Sequence, residues 1–292
     1  MKIGWNGSIK LQEEAVISVY DHGFLYGMGL FETFRTYGGG KPYLPERHLA
    51  RLSAGCESIG IKYKPDQSEL TNWLRKLMAA NELEEAYVRL TVTAGEGVLG
   101  LPTGDYEEPN VLLLVKALPA PNEALYRNGR ELALLRTRRN TPEGEVRLKS
   151  LHYMNNIIAK RELAATAGIA PGAEGLMLTR EGWLSEGIVS NLFFARAGQV
   201  FTPAIETGIL PGITRQRVIE LAREAGLAVE EGFYTWTELL EAEEVWVTNS
   251  IQELVPVSAL RDEEGRRTEV GSGQAGSMAL KLLAAYREDT KS

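Results

Sequence analysis

The stretch RLKSLHYMNN, residues 147–156, decides how the rest of the chain is interpreted. A loop-like run, residues 139–145, precedes it, and apolar residues at helix spacing follow from Met154. Ser150 is a residue type that caps helices, so the sequence predicts that Lys149 lies where a loop enters a helix. Lysine is one of few side chains that form a Schiff base with an aldehyde. A lone lysine is far more often an ordinary solvated side chain, so Lys149 gains its significance from the other segments of the chain.

Composition and charge argue against several classes of protein. The 292 residues suffice for two domains, and 44% hydrophobic with 24% charged residues is ordinary for a globular chain. A net charge of -7 argues against a nucleic-acid partner. A single cysteine, Cys56, excludes an internal disulfide and a cysteine-based metal site, and three histidines without a His-x-x-x-His pair argue against a zinc enzyme. We therefore expect a cytoplasmic protein without a metal.

The chain start has no apolar signal core, and no apolar run approaches the ~20 residues that a membrane helix needs. We expect no membrane partner. The run PAPN, residues 119–122, interrupts every pattern of helix or strand. It predicts a small N-terminal domain over 1–118, a linker over 119–128 and a larger domain over 129–292.

In the first half, one helix carries a candidate site residue. Pro45 to Ile59 has an apolar stripe and ends at a glycine, which predicts a helix. His48 and Arg51 are three apart and therefore neighbours on it. Arg51 is either a bidentate phosphate donor or a surface arginine. Further on, the almost continuously apolar run 110–118 predicts a strand that is buried on both faces.

In the second half, three segments suggest an anion or cofactor site. Glu186 lies at the end of an apolar strand, where a carboxylate binds a protonated ring nitrogen, pairs with an arginine or stays solvated. The predicted helix 214–225 follows a glycine-led start, so its first N–H groups are an anion site or Thr214 is a plain N-cap. Ser250 follows the predicted strand 244–248 in a run of small polar residues that can donate to a phosphate.

Five motifs, in this order along the chain, resemble those of the class IV, or fold-type IV, pyridoxal-phosphate aminotransferase family. They are HLARL at 48–52, LKS at 148–150, LSEG at 184–187 with SNLF at 190–193, LPGITR at 210–215 and TNS at 248–250. The finer resemblance is to bacillus-type 4-amino-4-deoxychorismate lyases. It rests on DHGFLYG at 21–27, FETFR at 31–35, RNTPEG at 139–144 and RLKS at 147–150.

The resemblance implies an α+β fold of two domains, with a smaller N-terminal α/β domain and a larger C-terminal domain whose barrel-like sheet is flanked by helices. It implies pyridoxal 5'-phosphate as cofactor and a homodimer, with the site between the domains and near the partner chain. Lys149 would be the Schiff-base lysine, Glu186 would pair with the pyridine nitrogen, and Tyr153 would lie near the phenolic oxygen. The resemblance also implies that the cofactor phosphate is bound by Arg51, the N–H groups of Ile213 and Thr214, and Ser250.

The function that the resemblance implies is elimination of pyruvate from 4-amino-4-deoxychorismate to give 4-aminobenzoate, a step of folate biosynthesis. The alternative is a branched-chain or D-amino-acid aminotransferase. Phe31 stands where D-amino-acid aminotransferases tend to carry a tyrosine, and residues 93–95 stand where they tend to carry an arginine. An alternative of another class is a non-catalytic protein that binds a small molecule. Four arginines remain open as partners of the substrate carboxylates, namely Arg89, Arg138, Arg139 and Arg147.

Overall fold

The computed structural model describes residues 1–120 and 122–291 and divides the chain into two compact units. Unit 1 holds Met1–Ala120 with Leu148–His152 and Lys291, and unit 2 holds 122–147 and 153–290. The segment with Lys149 therefore folds with residues that lie far from it in sequence. Pro121, part of the predicted linker, lies outside the described residues, and the domain boundaries proposed from sequence remain predictions.

Unit 1 is an antiparallel sheet with helices on one face. Its strands run in the order β2-β1-β6-β5-β3-β4. The elements in chain order are β1 (Lys2–Trp5), β2 (Ser8–Leu11), α1 (His22–Tyr26), β3 (Gly29–Tyr37), β4 (Lys41–Pro42), α2 (Pro45–Ser58), α3 (Gln67–Ala80), β5 (Ala86–Thr93) and β6 (Asn110–Ala117). A short 3-10 turn covers Gln12–Glu14.

The core of unit 1 lies between α2, α3 and the sheet. Leu52 of α2 and Leu74 of α3 are both 1% exposed and pack against alternate residues of the strands. The prediction for β6 is wrong, since only Leu113 and Val115 of this strand are buried. The strand is central in the sheet, between β1 and β5, but the buried pair faces the helices and the other face of the strand stays half-exposed. A run of apolar residues does not by itself show whether one face or both faces of a strand are buried.

Unit 2 contains a nine-stranded mixed sheet and five helices among the described residues. The elements in chain order are α4 (Glu123–Asn128), β7 (Arg130–Leu134), α5 (Met154–Ala165), β8 (Glu174–Leu178), β9 (Leu184–Gly187), β10 (Asn191–Arg196), β11 (Gln199–Pro203), α6 (Ile213–Glu224), β12 (Val229–Gly232), α7 (Trp236–Leu240), β13 (Glu244–Asn249), β14 (Glu253–Arg261), β15 (Arg267–Glu269) and α8 (Ser277–Asp289). A 3-10 turn covers Ile205–Thr207.

The sheet of unit 2 has the order β12-β11-β10-β13-β14-β7-β8-β9, with β15 on β14. Strand β9 ends this order, yet Leu184 N of β9 donates a hydrogen bond at 2.7 Å to Tyr234 O, two residues beyond β12 at the other end of the order. The sheet therefore curls back on itself, and Glu186 lies where its two ends approach each other. This arrangement agrees with the predicted barrel-like sheet.

The predicted linker contains a helix. Asn122 caps α4 by accepting a hydrogen bond from Leu125 N, and Leu125 and Tyr126 pack against the core of unit 2. Its apolar side chains are too few for a recognisable period, so the sequence did not reveal it. The α+β fold class is confirmed. Within the described ranges, no helix is long and apolar enough to cross a membrane.

Candidate functional site

Lys149 lies on an extended segment beside β3. Phe31 N donates to Lys149 O at 2.9 Å, and Leu151 N donates to Gly29 O at 3.0 Å. The prediction of Ser150 as an N-cap is wrong, because Ser150 pairs with Leu30 in a β-bridge and α5 begins later, with Tyr153 at the N-cap position and no side-chain cap. The backbone of residues 149–151 is thus fixed by a strand, which holds the half-buried Lys149 in place.

The ring of Phe31 contacts two cationic side chains. The Nζ of Lys149 lies 4.7 Å from the ring centroid, and the guanidinium carbon of Arg89 lies 3.5 Å from it. The ring is 2% exposed. A cation over an aromatic face is attracted by the negative potential of the ring, so Phe31 stabilises each of the two cationic heads against its ring. Two positive charges on one ring favour an anion beside them.

Arg51 is bound by a carboxylate that the sequence analysis missed. Its Nε donates to Glu32 Oε1 at 2.8 Å and its Nη2 donates to Oε2 at 2.7 Å, while His48 Nδ1 donates to Oε2 at 2.7 Å. The carboxylate is 1% exposed. Burial alone would raise its pKa, but Arg51 and His48 outweigh it and lower the pKa of Glu32 to about 2. Burial lowers the pKa of His48.

The sequence of strand β3 contains a pattern that indicates this cluster. Glu32 alternates with Leu30 and Phe34, which both face the core, so a carboxylate at this position must find partners. The helix spacing of His48 and Arg51 supplied one half of the pattern. The pairing of the two halves depends on how α2 packs on the sheet, which no local sequence pattern encodes.

Glu186 is buried and paired. Its Oε1 accepts from Arg139 Nε at 2.7 Å, and its Oε2 accepts from Leu210 N at 2.9 Å and from Asn191 Nδ2 at 3.4 Å. Arg147 Nε lies 3.7 Å from Oε1. Of the alternatives left open for this residue, the arginine partner is therefore present. The carboxylate is held by side chains and backbone from separate segments, which fixes its direction.

The four candidate arginines differ in their partners. Arg138 donates to Glu263 Oε1 at 2.7 Å, Arg139 is bound to Glu186, and Arg147 donates to the carbonyl oxygens of Gly208 and Asn140. Burial lowers the pKa of Arg147 to about 10. Arg89 has no hydrogen bond or ion pair with any described residue and contacts the face of Phe31. Arg89 is thus the one of these four whose donors are not used within the described ranges.

The start of α6 provides a second set of donors. Gly212 is its N-cap and no side chain caps the helix, so the prediction of Thr214 as N-cap is wrong and the first N–H groups, including those of Ile213 and Thr214, have no side-chain acceptor. Thr214 Oγ1 lies 3.3 Å from Ser250 Oγ. A Cβ on Gly212 would lie 2.1 Å from Asn191 Oδ1, so only glycine fits at this close approach. Groups of this kind at a helix N-terminus are chemically suited to an anion.

Tyr153 is half-buried at the start of α5, and its predicted position near the cofactor remains a prediction. The apolar residues that predicted α5 do not form its buried side. Met154, Ile157 and Ile158 are 74%, 57% and 49% exposed. No cluster of histidine, cysteine, aspartate or glutamate suited to a metal ion occurs in the part of the chain that the structure describes.

The comparisons with known proteins agree with the motifs. The family model for amino-transferase class IV matches residues 29–260. The chain is 39% identical over 288 residues to aminodeoxychorismate lyase of Bacillus subtilis (strain 168). The alignment covers 98% of this chain and 94% of that protein.

Two solved structures have the same fold. The 4-amino-4-deoxychorismate lyase of Pseudomonas aeruginosa has a TM-score of 0.82 and 31% identity, with 98% of each chain covered. The T.th. branched-chain amino acid aminotransferase complexed with N-(5'-phosphopyridoxyl)-L-glutamate has a TM-score of 0.85 and 29% identity, with 99% of this chain and 94% of that chain covered.

The residues present fit such a cofactor. A phosphate matches the uncapped start of α6 with the hydroxyls of Thr214 and Ser250, and Thr248 Oγ1 beside them is buried with no hydrogen-bond partner among the described residues. A fixed carboxylate, Glu186, suits a protonated pyridine nitrogen, and Lys149 suits an aldehyde. With the match over residues 29–260 and the full-length relatives, these groups show that the chain belongs to the class IV aminotransferase family of pyridoxal-phosphate-dependent enzymes.

Proposed function

We propose that the chain is a 4-amino-4-deoxychorismate lyase, which eliminates pyruvate from its substrate and forms 4-aminobenzoate for folate biosynthesis. The observation that carries the proposal is the pair of cations on the Phe31 ring. The substrate has a carboxylate at its ring and another on its enolpyruvyl ether. An arginine without a protein partner among the described residues, close to a lysine that can move a proton, suits an acid of this kind. The identity to the Bacillus subtilis and Pseudomonas aeruginosa lyases supports the same choice.

The cofactor-binding roles are proposed from the family's motifs. We assign the phosphate to the N–H groups of Ile213 and Thr214 and to the hydroxyls of Thr214 and Ser250. Arg51, whose guanidinium direction is fixed by Glu32, is assigned to the phosphate on the family's motif alone. Glu186 holds the proton on the pyridine nitrogen, and Tyr153 is assigned to the phenolic oxygen. These roles rest on the family's motifs and on the donor chemistry described above.

Lys149 performs the proton transfer in this proposal. When bound, pyridoxal 5'-phosphate supplies a sink for the electrons that proton removal leaves behind. Lys149 takes the proton from the substrate carbon that carries the amine. The ether C–O bond then breaks, enolpyruvate leaves and takes up a proton to become pyruvate, and the ring becomes aromatic. Because aromatisation is favourable, the protein has to supply mainly orientation and a base.

Arg89 orients the substrate. Its guanidinium is stacked on Phe31, so its N–H groups are aligned in one plane and suit a bidentate bond to a carboxylate. Among the four arginines left open by the sequence, it is the one we assign to a substrate carboxylate.

We also propose a cytoplasmic homodimer. Segments 16–26 and 96–101 are joined by hydrogen bonds from Gly97 N to Tyr20 O at 3.1 Å and from Gly100 N to Tyr26 Oη at 3.0 Å. They expose large apolar side chains of Val16, Val19, Phe24, Val98, Leu99 and Leu101. Several exposed apolar side chains on two joined segments are typical of an interaction surface, and a second copy of the chain is the partner that the family suggests. Sedimentation analysis of the wild type and of Leu101→Asp tests this, and a monomeric wild type contradicts it.

Product analysis tests the function. The cofactor-loaded protein is incubated with 4-amino-4-deoxychorismate and no keto acid. The lyase releases pyruvate and 4-aminobenzoate in equal amounts over many turnovers. If neither appears, while amino acids convert the bound cofactor to its amine form, the chain is an aminotransferase, as its likeness to the T.th. branched-chain amino acid aminotransferase would suggest.

A further inference from the structure

The turn that carries Ser250 is held from several sides. Asn249 Oδ1 accepts hydrogen bonds from Ile251 N at 3.0 Å and from Gln252 N at 2.8 Å. Gln252 O accepts from Tyr126 Oη at 3.2 Å. The next residue, Glu253, has a left-handed φ of 61° although it is not glycine. Such a conformation persists only where the surroundings fix it, so the turn has a defined geometry.

The side chain of Gln252 connects this turn to a buried ion pair. Arg130 Nη2 donates to Gln252 Oε1 at 3.2 Å, and Arg130 Nη1 donates to Glu174 Oε2 at 3.4 Å. Arg130 is 8% exposed and Glu174 is 6% exposed. A buried ion pair of this kind contributes little net stability, because desolvation of both charges offsets their attraction. Stability alone therefore gives no reason for charges at these positions.

The other end of the pair reaches the segment after Glu186. Glu174 Oε1 accepts from Ile188 N at 2.8 Å, two residues beyond Glu186. A Cβ on Gly187, between them, would lie 3.2 Å from Glu174 Cγ. The chain of contacts from Gln252 through Arg130 and Glu174 to Ile188 thus spans the interior of unit 2.

We infer that Arg130 and Glu174 are positioning residues that fix the Ser250 hydroxyl relative to the Glu186 carboxylate. The inference rests on the proposed roles of Ser250 and Glu186 at the two ends of the cofactor. The phosphate and the ring nitrogen belong to one rigid molecule, so both ends bind well only if their protein partners are correctly spaced. The ion pair supplies that spacing through one continuous set of hydrogen bonds.

The test compares two ligands and two double variants. Arg130→Met with Glu174→Gln removes both charges together, so no buried charge is left alone, and glutamine retains an acceptor for Ile188 N. Dissociation constants of the apoprotein are measured for pyridoxal 5'-phosphate and for pyridoxal, which lacks the phosphate. We expect the affinity for the phosphorylated ligand to fall about tenfold and that for pyridoxal to change less than about twofold, since a displaced Ser250 turn affects the phosphate alone.

The matched control uses the neighbouring residue of strand β7. Glu131 is bound by Arg261 of β14, at the opposite end of that strand from the Ser250 turn. Glu131→Gln with Arg261→Met removes a similarly placed pair and should leave both dissociation constants unchanged. Equal weakening of both ligands by the Arg130 and Glu174 variant, or no weakening, overturns the inference.

Two single variants keep the result interpretable. Gln252→Leu removes the connection and leaves the ion pair, so it should reproduce the selective loss even if the double variant fails to fold. Ser250→Ala should also weaken the phosphorylated ligand selectively. If it does not, the proposed phosphate role of Ser250 is wrong, and the inference falls with it. If Ser250→Ala has its effect and Gln252→Leu has none, only the positioning role is wrong.

Discussion

Neighbouring residues of strand β3 place two arginines in opposite situations. On one face, Glu32 neutralises Arg51 through two hydrogen bonds. On the other face, Phe31 stacks against Arg89, which has no carboxylate partner in the described part of the chain. An arginine that donates two of its five N–H groups to a buried carboxylate has a fixed direction, in which it presents its other N–H groups to the phosphate assigned to it. An arginine that lies on an aromatic ring keeps its donors for a ligand, so the two faces have different functions.

The largest loss of activity is expected from substitution of Lys149, whose ammonium group lies on the Phe31 ring of strand β3. Lys149→Ala removes the proposed base and should lower kcat by about 10⁴-fold, since the proposed reaction begins with proton transfer to Lys149. The measurement is the rate of 4-aminobenzoate formation. Turnover within about a hundredfold of the wild type would contradict the assignment of Lys149.

Glu32→Gln tests how much the buried cluster of Glu32, Arg51 and His48 contributes to stability. The change leaves the Arg51 guanidinium without its countercharge in a buried place, so the free energy of unfolding should fall by roughly 3 kcal/mol. Urea unfolding at pH 7 gives the value. Glu85→Gln is the control, because Glu85 pairs with Arg35 of the same strand at 3.3 Å but is 40% exposed, and it should cost less than about 1 kcal/mol. Equal losses in the two variants would mean that Glu32 does not form a tight buried cluster.

The same cluster predicts a pH dependence. The pKa of Glu32 is about 2 in the folded chain and 4.5 as its ordinary value. Its contribution is therefore complete above pH 4.5 and is lost as the pH falls toward 2. Between about pH 5.5 and pH 3.5 the wild type should lose about 1.4 kcal/mol more unfolding free energy than Glu32→Gln. Parallel pH profiles of the two proteins would contradict the lowered pKa of Glu32.

Arg89→Met tests the ligand-binding role of the second face. A lost charge-assisted hydrogen bond to a substrate carboxylate costs about 2 kcal/mol, so kcat/KM should fall about 30-fold, mainly through KM. Arg138→Met is the control, because Arg138 pairs with Glu263 and has no assigned ligand. An unchanged KM in Arg89→Met would remove Arg89 from the site, whatever the fate of Lys149.

The smallest change in kcat/KM is expected for substitution of Phe31. Phe31→Leu removes the face on which Arg89 and Lys149 lie, and a cation–π contact is worth about 1 kcal/mol, so kcat/KM should fall about fivefold. Phe34→Leu changes an equally buried ring, 2% exposed, on the Glu32 face. It should lower stability and leave kcat/KM unchanged. If both variants reduce kcat/KM equally, the effect is one of packing and not of the ring's face.

The sequence predicted the local elements well where their signals are local. The helix over Pro45–Ser58 and the strand with Glu186 were found from periodicity and end residues. Ser150 was misread because its partner, Leu30, lies far away in the chain and draws the segment into a bridge. The helix start predicted at Thr214 is one residue late, since α6 begins at Ile213 with Gly212 at its N-cap.

The sequence motifs propose the candidate site as a set of residues but do not give the contacts among them. The motifs named Lys149 and Arg51, yet the carboxylate of Glu32 and the stacking of Arg89 on Phe31 arise from strand register and helix packing. Arg139 and Glu186 are far apart in sequence and meet only through the sheet of unit 2. Long-range pairing of this kind leaves no periodic trace in the chain, so choosing among four arginines required the structure.

Lys149 carries the proposed chemistry, and its covalent attachment to the cofactor can be measured directly. The yellow cofactor-loaded protein is reduced with borohydride, digested and mapped by mass spectrometry. We predict that the phosphopyridoxyl mass is found on the peptide containing Lys149 and that the variant Lys149→Ala carries none. A label on another lysine, or a protein that binds the cofactor without any reducible bond, would contradict the account.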